Sequence, residues 1–258
     1  MRRNRTTTVI ALVLALLLVP TAAMATDDVP VTDRATDTTT DTATDTREHD
    51  RPFERAKARA VHRVEGLLRV IDGLQAKISA SRFITGEHAG LLRADLARAE
   101  AGLESLIRQI EAAETWEELG DLVDQIDDFA VLTVLAPKTH QVIASDTLVA
   151  IAGKLDRFAA KLGEILERLE AAGHDVTEAQ RLLEQMSGAI SEGSRLAGPV
   201  AGMVIGLGPE DWPDPAQGIL ADGRADLHSA RGSLRSAYAT GKEIVQFIRD
   251  LNDGAITD

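Results

Sequence analysis

The segment Leu148–Leu169 reads LVAIAGKLDRFAAKLGEILERL, and its pattern decides the fold class. Large apolar residues recur along it at alternating steps of three and four, and apart from Val149 and Leu166 the positions between them hold small or charged residues. This spacing places the apolar side chains on one face of an α-helix, which must then pack against other helices. The stripe consists of Leu148, Ile151, Leu155, Phe158, Leu162, Ile165 and Leu169.

The same spacing recurs on both sides of this segment. It predicts helices over about 52–80, about 86–113 and 119–129, a further helix from Val176, and a last one over 227–251. No stretch alternates with period two, so we expect no sheet. Because the connections are short, neighbouring helices should run antiparallel. The sequence therefore predicts an all-α fold, an elongated, coiled-coil-like antiparallel helical bundle over residues 51–258.

Helix boundaries can be predicted from capping residues. Thr115 and Asp175 each precede a Glu by three residues, the spacing of a capping box, and Thr85 can cap a helix on its own. Gly173 is placed to end a helix in a left-handed turn. Pro137 should separate or kink the segments before and after it.

Residues 1–25 have the features of a secretory signal peptide. Three arginines within the first five residues precede an uninterrupted apolar run from Val9 to Val19. Ala23 and Ala25 then supply small side chains at both positions that a signal peptidase recognises, so we predict cleavage after Ala25. An uncleaved anchor is the alternative, but eleven apolar residues fall short of the roughly 20 that span a bilayer.

Residues 26–50 are predicted to form a disordered linker. They are rich in Thr and Asp and hold eight acids against two arginines, with almost nothing apolar to bury. Repulsion between the acids extends such a chain. The linker could be a spacer that holds the body away from a membrane or through a cell wall, or only a solubilising leader.

The charge of the chain excludes some classes of partner. The formal charge is −13, and loss of the three signal-peptide arginines leaves −16. We therefore expect no binding to nucleic acid and none to anionic lipid. The chain has no cysteine, so it can carry neither a disulfide nor a cysteine-linked lipid. We expect no stable membrane anchor after cleavage.

The segment from Pro137 to Asp146 is the best candidate for a ligand site. It places Lys138, His140 and Asp146 near the start of a predicted helix, where free amides and the helix dipole attract anions. The alternative is that Pro137 only starts the helix, with Lys138 and His140 facing water.

A second candidate is a loose calcium site on the short third helix. Asp121, Asp124 and Asp128 lie on one face there, and hard cations take carboxylate oxygens. The alternative is a solvated acidic face. The histidines are scattered, with no Glu-x-x-His pair, so we expect no transition-metal site and no cofactor.

Three glycines recur every four residues at 198, 202 and 206, around Pro199. We expect them to form a tightly packed or kinked helix end, with a small docking patch as the alternative.

Two further stretches carry a resemblance. They are 81–86, which reads SRFITG, and 136–146, which begins APK. Both resemble a group of secreted helical proteins of high-GC Gram-positive bacteria that have no assigned activity. The resemblance implies export and helices over most of residues 52–251, and it transfers no catalytic residue.

These observations favour a non-enzymatic, secreted or cell-wall-associated helical protein that makes contacts with a protein or a wall polymer. The alternative is an extracytoplasmic binding protein for a cation or a small anion. An enzyme is the third and least favoured possibility, because no motif for a nucleophile or for phosphate binding is present.

Overall fold

The structure, a computed structural model, describes residues 45–254 and the side chains of residues 52–251. The predicted signal peptide, the cleavage site at Ala23 and Ala25, and most of the predicted linker lie outside the described residues. The helices are α1 (Asp45–Ala80), α2 (Gly86–Ala112), α3 (Trp116–Asp128), a π-helix (Val131–Leu135), α4 (Ala136–Ala171), α5 (Thr177–Val204), a 3₁₀ helix (Pro209–Asp211) and α6 (Ala216–Gly254).

The all-α prediction is confirmed, because residues 45–254 form a helical bundle without a strand. Helix α1 begins at Asp45, six residues inside the predicted linker. Within the described part, no helix is both long and apolar enough to cross a membrane.

Helices α1 and α2 form an antiparallel hairpin. Near its open end, the Lys57 ammonium donates to the carbonyls of Glu111, at 2.7 Å, and Ala113, at 3.0 Å. Nearer the turn, the Gln75 amide donates to the Glu100 carboxylate at 2.9 Å. The hairpin buries Leu and Ile side chains of both helices in the common core.

Helices α3 and α4 depart from the antiparallel pattern expected of consecutive helices. Asp127 of α3 pairs with Arg63 of α1, and His140 of α4 lies beside Lys77, which is further along α1. The π-helix between them therefore continues the chain in the same direction, alongside α1.

Helices α4, α5 and α6 form the other part of the bundle, and α5 runs antiparallel to both neighbours. Ser145 of α4 bonds Ala197 of α5, whereas Gly163 of α4 lies near Leu183. Helix α4 is shared by both parts, because Lys138 near its start pairs with Asp95 of α2. The buried residues of α4 recur at steps of three and four along its whole length. They include Leu148, Ala152, Leu155, Ala159, Leu162 and Leu166.

Two of the predicted helix starts are confirmed. The Thr85 hydroxyl accepts from the backbone N–H of His88, and Thr115 and Glu118 form the reciprocal capping box. The box predicted at Asp175 is wrong, because the N-cap of α5 is Val176, which has no side-chain acceptor. Asp175 lies one residue too early and accepts instead from the backbone N–H of Thr177, as an Asx-turn does.

The left-handed helix end predicted at Gly173 is also confirmed, with φ +89°.

The glycines at 198, 202 and 206 do not pack closely, contrary to the expectation. All three are exposed, a Cβ added to any of them would meet nothing within 4 Å, and α5 continues through Pro199. The close approach occurs at Gly193, whose added Cβ would lie 2.7 Å from Leu234 and 3.3 Å from the Ala230 carbonyl. The helix positions that face α6, rather than the glycine spacing, decide which glycine packs.

This difference can be measured with two alanine substitutions in α5. Gly193→Ala and Gly188→Ala both gain about 1 kcal/mol of helix propensity, but only Gly193→Ala forces a methyl group into Leu234, because a Cβ at the exposed Gly188 would meet nothing within 4 Å. We expect Gly193→Ala to be the less stable of the two by about 1–3 kcal/mol in urea denaturation. Equal stability of the two variants would show that α5 and α6 do not approach this closely.

Candidate functional site

The first three turns of α4 carry an unusual set of buried polar side chains. Among residues 52–251, the buried polar residues are Lys138, Thr139, Gln141 and Ser145. Three of them continue the apolar stripe of α4 backwards, because steps of three and four from Leu148 fall on Ser145, Gln141 and Lys138. The core face of α4 therefore becomes polar where both parts of the bundle meet.

Lys138 has the largest desolvation cost of this set, because it carries a charge and its side chain is only 1% exposed. A buried ammonium is tolerated only when charge and hydrogen bonds compensate for lost hydration. Its Nζ donates to Asp95 Oδ2 at 2.5 Å and to the Leu207 carbonyl at 2.6 Å. Arg98 also donates to Asp95, at 3.2 Å. Lys138 thus joins α4 to α2 and to the segment that follows α5.

Ser145 and Gln141 make equivalent contacts to α5 and α6. The Ser145 hydroxyl donates to the Ala197 carbonyl at 2.8 Å and accepts from the Ala201 N–H at 3.3 Å, so it lies within one turn of α5. The Gln141 amide donates to the Leu220 carbonyl at 2.8 Å. A Cβ at Gly223 would lie 2.4 Å from Gln141 Oε1, so only glycine fits there without movement of that amide.

The chain reaches α4 through strained backbone. Ala130 has φ +45°, which is uncommon for a residue with a side chain, and the π-helix follows it at once. Pro137 has no N–H to donate to the preceding turn, and the wider turns of the π-helix precede it directly. Pro137 lies in the first turn of α4, whereas the break after α3 falls seven residues earlier, at Ala130, so Pro137 is not the point at which the two helices separate.

The three predicted ligand residues face different partners and do not form one site. Lys138 is buried against Asp95, which corrects both the anion-site and the water-facing predictions for it. Asp146, whose side chain is 8% exposed, accepts from His88 Nδ1 and from the Thr85 N–H, both at 2.9 Å. It therefore ties α4 to the start of α2.

His140 is exposed, and its Nε2 lies 2.9 Å from the Lys77 ammonium. Partial loss of hydration and the charge of Lys77 lower the pKa of His140. The neutral ring can accept from Lys77, whereas a protonated ring would be repelled by it.

The predicted metal residues do not converge either. Asp121, Asp124 and Asp128 are exposed, and no group of three metal-ligating side chains in the described residues could hold an ion. Their spacing along one helix keeps the carboxylates apart. Intrahelical hydrogen bonds also occupy the backbone carbonyls that calcium sites use as ligands.

Asp128 instead lines a cleft of about 530 Å³ beside Lys138. The cleft lies between α2, the end of α3, the π-helix and the segment after α5. Its charged lining residues are Asp95, Arg98, Asp128, Lys138 and Glu210. The walls between them are apolar and include Leu91, Phe129, Leu135, Ile205 and Leu207.

A separate groove follows α4 and α5 away from this cleft. Two adjoining cavities of about 670 and 570 Å³ share Asp156 and Ser187. Small residues form most of the groove, with Ser187, Ser191 and Ser194 on α5. Its charged residues are Asp156, Glu164, Glu167 and Arg195. From Val149 to Glu167 it extends roughly 27 Å along α4.

Neither the cleft nor the groove was predicted from the sequence. The available signal for the cleft was the interruption of the α4 stripe by Ser145, Gln141 and Lys138. The chain matches no protein-family model, and neither a curated protein nor a solved structure is significantly similar to it.

The pairing of Lys138 with Asp95 should contribute strongly to stability. Asp95→Asn removes the counter-ion of a buried ammonium, and we expect a loss of about 3 kcal/mol in urea denaturation. Asp72→Asn, at an exposed carboxylate of α1, is the control and should change stability by less than about 0.5 kcal/mol. The double variant Asp95→Leu with Lys138→Met should recover most of the loss. Similar stability of Asp95→Asn and the control would contradict the pairing.

His140 should make stability depend on pH. Its pKa is lower in the folded chain than in the unfolded chain, so between those values the unfolded chain binds more protons and stability rises with pH. The contribution is complete above about pH 6.5 and is lost as the pH falls below that value. His140→Gln can still accept from Lys77 but does not titrate. Melting temperatures at about pH 7.5 and 5 should therefore fall less for the variant than for the parent. An equal fall would contradict this role.

Proposed function

We propose that the chain is a secreted or cell-wall-associated, non-enzymatic helical protein, and that its groove on α4 and α5 contacts a wall polymer. The observation that carries this proposal is the chemistry of the groove. It is long, open and lined mostly by small residues, and its polar groups are hydroxyls and carboxylates together with one arginine.

Two of the three serine hydroxyls in the groove are available to a ligand. Ser187 donates to the Leu183 carbonyl of its own helix. By contrast, no hydrogen bond to another described residue involves the hydroxyl of Ser191 or Ser194, both of which line the groove. Hydroxyls and carboxylates together suit a partner that presents many hydroxyl and amino groups.

The charge of the groove narrows the class of partner. Three carboxylates face one arginine, Arg195, which is already paired with Glu192 at 2.7 Å. A polyanion such as nucleic acid would be repelled, in agreement with the expectation from the net charge. A neutral or amine-bearing wall glycan fits this charge better. The polar lining also disfavours a partner helix, which requires an apolar groove.

The predicted export signal supports the same proposal. The signal features of residues 1–25 and the acidic composition of residues 26–50 suit a chain that leaves the cytoplasm and works at a distance from the membrane.

A second candidate is an extracytoplasmic binding protein for a small charged ligand. It is favoured by the cleft beside Lys138, whose volume of about 530 Å³ is typical of small-molecule sites.

Co-sedimentation with purified, insoluble peptidoglycan tests the first proposal. Ser191→Trp fills the groove from an exposed position, and Ser229→Trp, exposed on α6, is the matched control. We expect the parent and the control to sediment with the polymer. The groove variant should bind at least about tenfold more weakly, a loss of roughly 1.4 kcal/mol. A parent chain that stays in solution, or two variants that bind equally, would refute the groove as the contact surface.

A further inference from the structure

The cleft beside Lys138 contains a buried lysine, and a buried lysine suggests an anion site at first sight. The hydrogen bonds of the cleft indicate the opposite. Lys138 already contacts Asp95 and the Leu207 carbonyl, and Arg98 contacts the second oxygen of Asp95. Both cations of the cleft are therefore engaged with the same carboxylate.

The two other carboxylates of the cleft are not engaged in this way. No described residue donates a hydrogen bond to Asp128 or to Glu210, and neither forms an ion pair there. With Lys138 and Arg98 against Asp95, Asp128 and Glu210, the lining has a formal charge of −1. The excess is carried by the two carboxylates without partners.

Helix dipoles add to this negative potential. Helix α3 ends at Asp128 and α5 ends at Val204, and residues at or just after both ends line the cleft. The C-terminus of a helix carries partial negative charge, which a Lys or Arg in the last turn commonly offsets. Neither α3 nor α5 has a basic residue in its last turn. Lys138 is the buried cation close to both helix ends, but its charge is already paired with Asp95.

The remaining walls of the cleft determine the body of the ligand. They are formed by Phe129 and by aliphatic side chains, and Leu91 at the cleft is 46% exposed although it is apolar. Phe129 is held in place against α2, because a Cβ at Gly102 would lie 2.3 Å from its ring. An apolar group of a ligand would cover this surface.

We propose that the cleft binds a small organic cation, with an ammonium group at Asp128 and Glu210 and an apolar body against Phe129 and Leu91. This inference rests on the second candidate function and gives it a charge and a ligand class. The ammonium replaces the missing charge at two helix ends, and the volume of the cleft suits a small molecule rather than a polymer.

The test compares three probes that differ only in their head group: 4-phenylbutylammonium, 4-phenylbutanol and 4-phenylbutyrate. Calorimetric titration of the exported chain, from Thr26 onward, should give binding of the ammonium at least about tenfold tighter than that of the alcohol. The carboxylate should bind most weakly.

Variants locate the site. Asp128→Asn and Glu210→Gln remove charge at exposed positions and should each weaken ammonium binding by about tenfold, while binding of the alcohol stays unchanged. Glu164→Gln, at a carboxylate of the groove, is the matched control and should leave ammonium binding unchanged.

Each contrary outcome has a separate meaning. Tighter binding of 4-phenylbutyrate overturns the inference but supports the second candidate function. Equal binding of the ammonium and the alcohol, or no effect of Asp128→Asn and Glu210→Gln, overturns the inference. If none of the probes binds at about 10 mM, both the inference and the second candidate function fail.

Discussion

The structure depends on three hydrogen bonds that buried side chains of α4 donate to the backbone of other segments. Lys138, Gln141 and Ser145 donate to the carbonyls of Leu207, Leu220 and Ala197. Apolar packing between helices is tolerant of sliding and rotation, since Ala and Leu side chains have no directional partners. A buried polar donor has no such freedom, because loss of its acceptor leaves it unsatisfied at a cost of about 1–3 kcal/mol. These bonds therefore fix the positions of α5, α6 and the segment between them relative to α4.

This constraint also determines where ligand surfaces can lie. The Lys138 bond to Asp95 holds α2 beside the end of α5, and the cleft forms in the space that these elements and the π-helix leave between them. Beyond Ser145, no side chain of α4 donates a hydrogen bond to the backbone of another helix in the described residues, and small residues leave the groove on α4 and α5 open. The two surfaces also differ in chemistry, because only the cleft lies beside the Lys138–Asp95 ion pair. The cleft takes its character from an enclosed ion pair, whereas the groove takes its character from solvated hydroxyls and carboxylates.

The sequence predicted the parts of the fold that local chemistry controls. The apolar stripes gave the helices, and Thr85, Thr115 and Gly173 gave three of their ends, because a cap or a left-handed turn needs only neighbouring residues. The prediction at Asp175 was wrong by one residue, since the apolar Val176 occupies the N-cap. The apolar spacing places Lys138 on the core face of α4, but the partners that compensate for its burial could not be predicted from local sequence. Its acceptors are on Asp95 and Leu207, and only the tertiary fold brings these residues to it.

Native-state hydrogen exchange on the chain from Thr26 onward is the sharpest test of whether the polar side chains of α4 join the bundle into one unit. The amide of Ala201, which donates to Ser145, and the backbone of 216–224, beside Gln141, are the informative probes. The account predicts that they exchange with the free energy of global unfolding, together with α1 and α2 near Asp95. Exchange of α1 and α2 at a clearly lower free energy than α4, α5 and α6, in an independent transition, would contradict it.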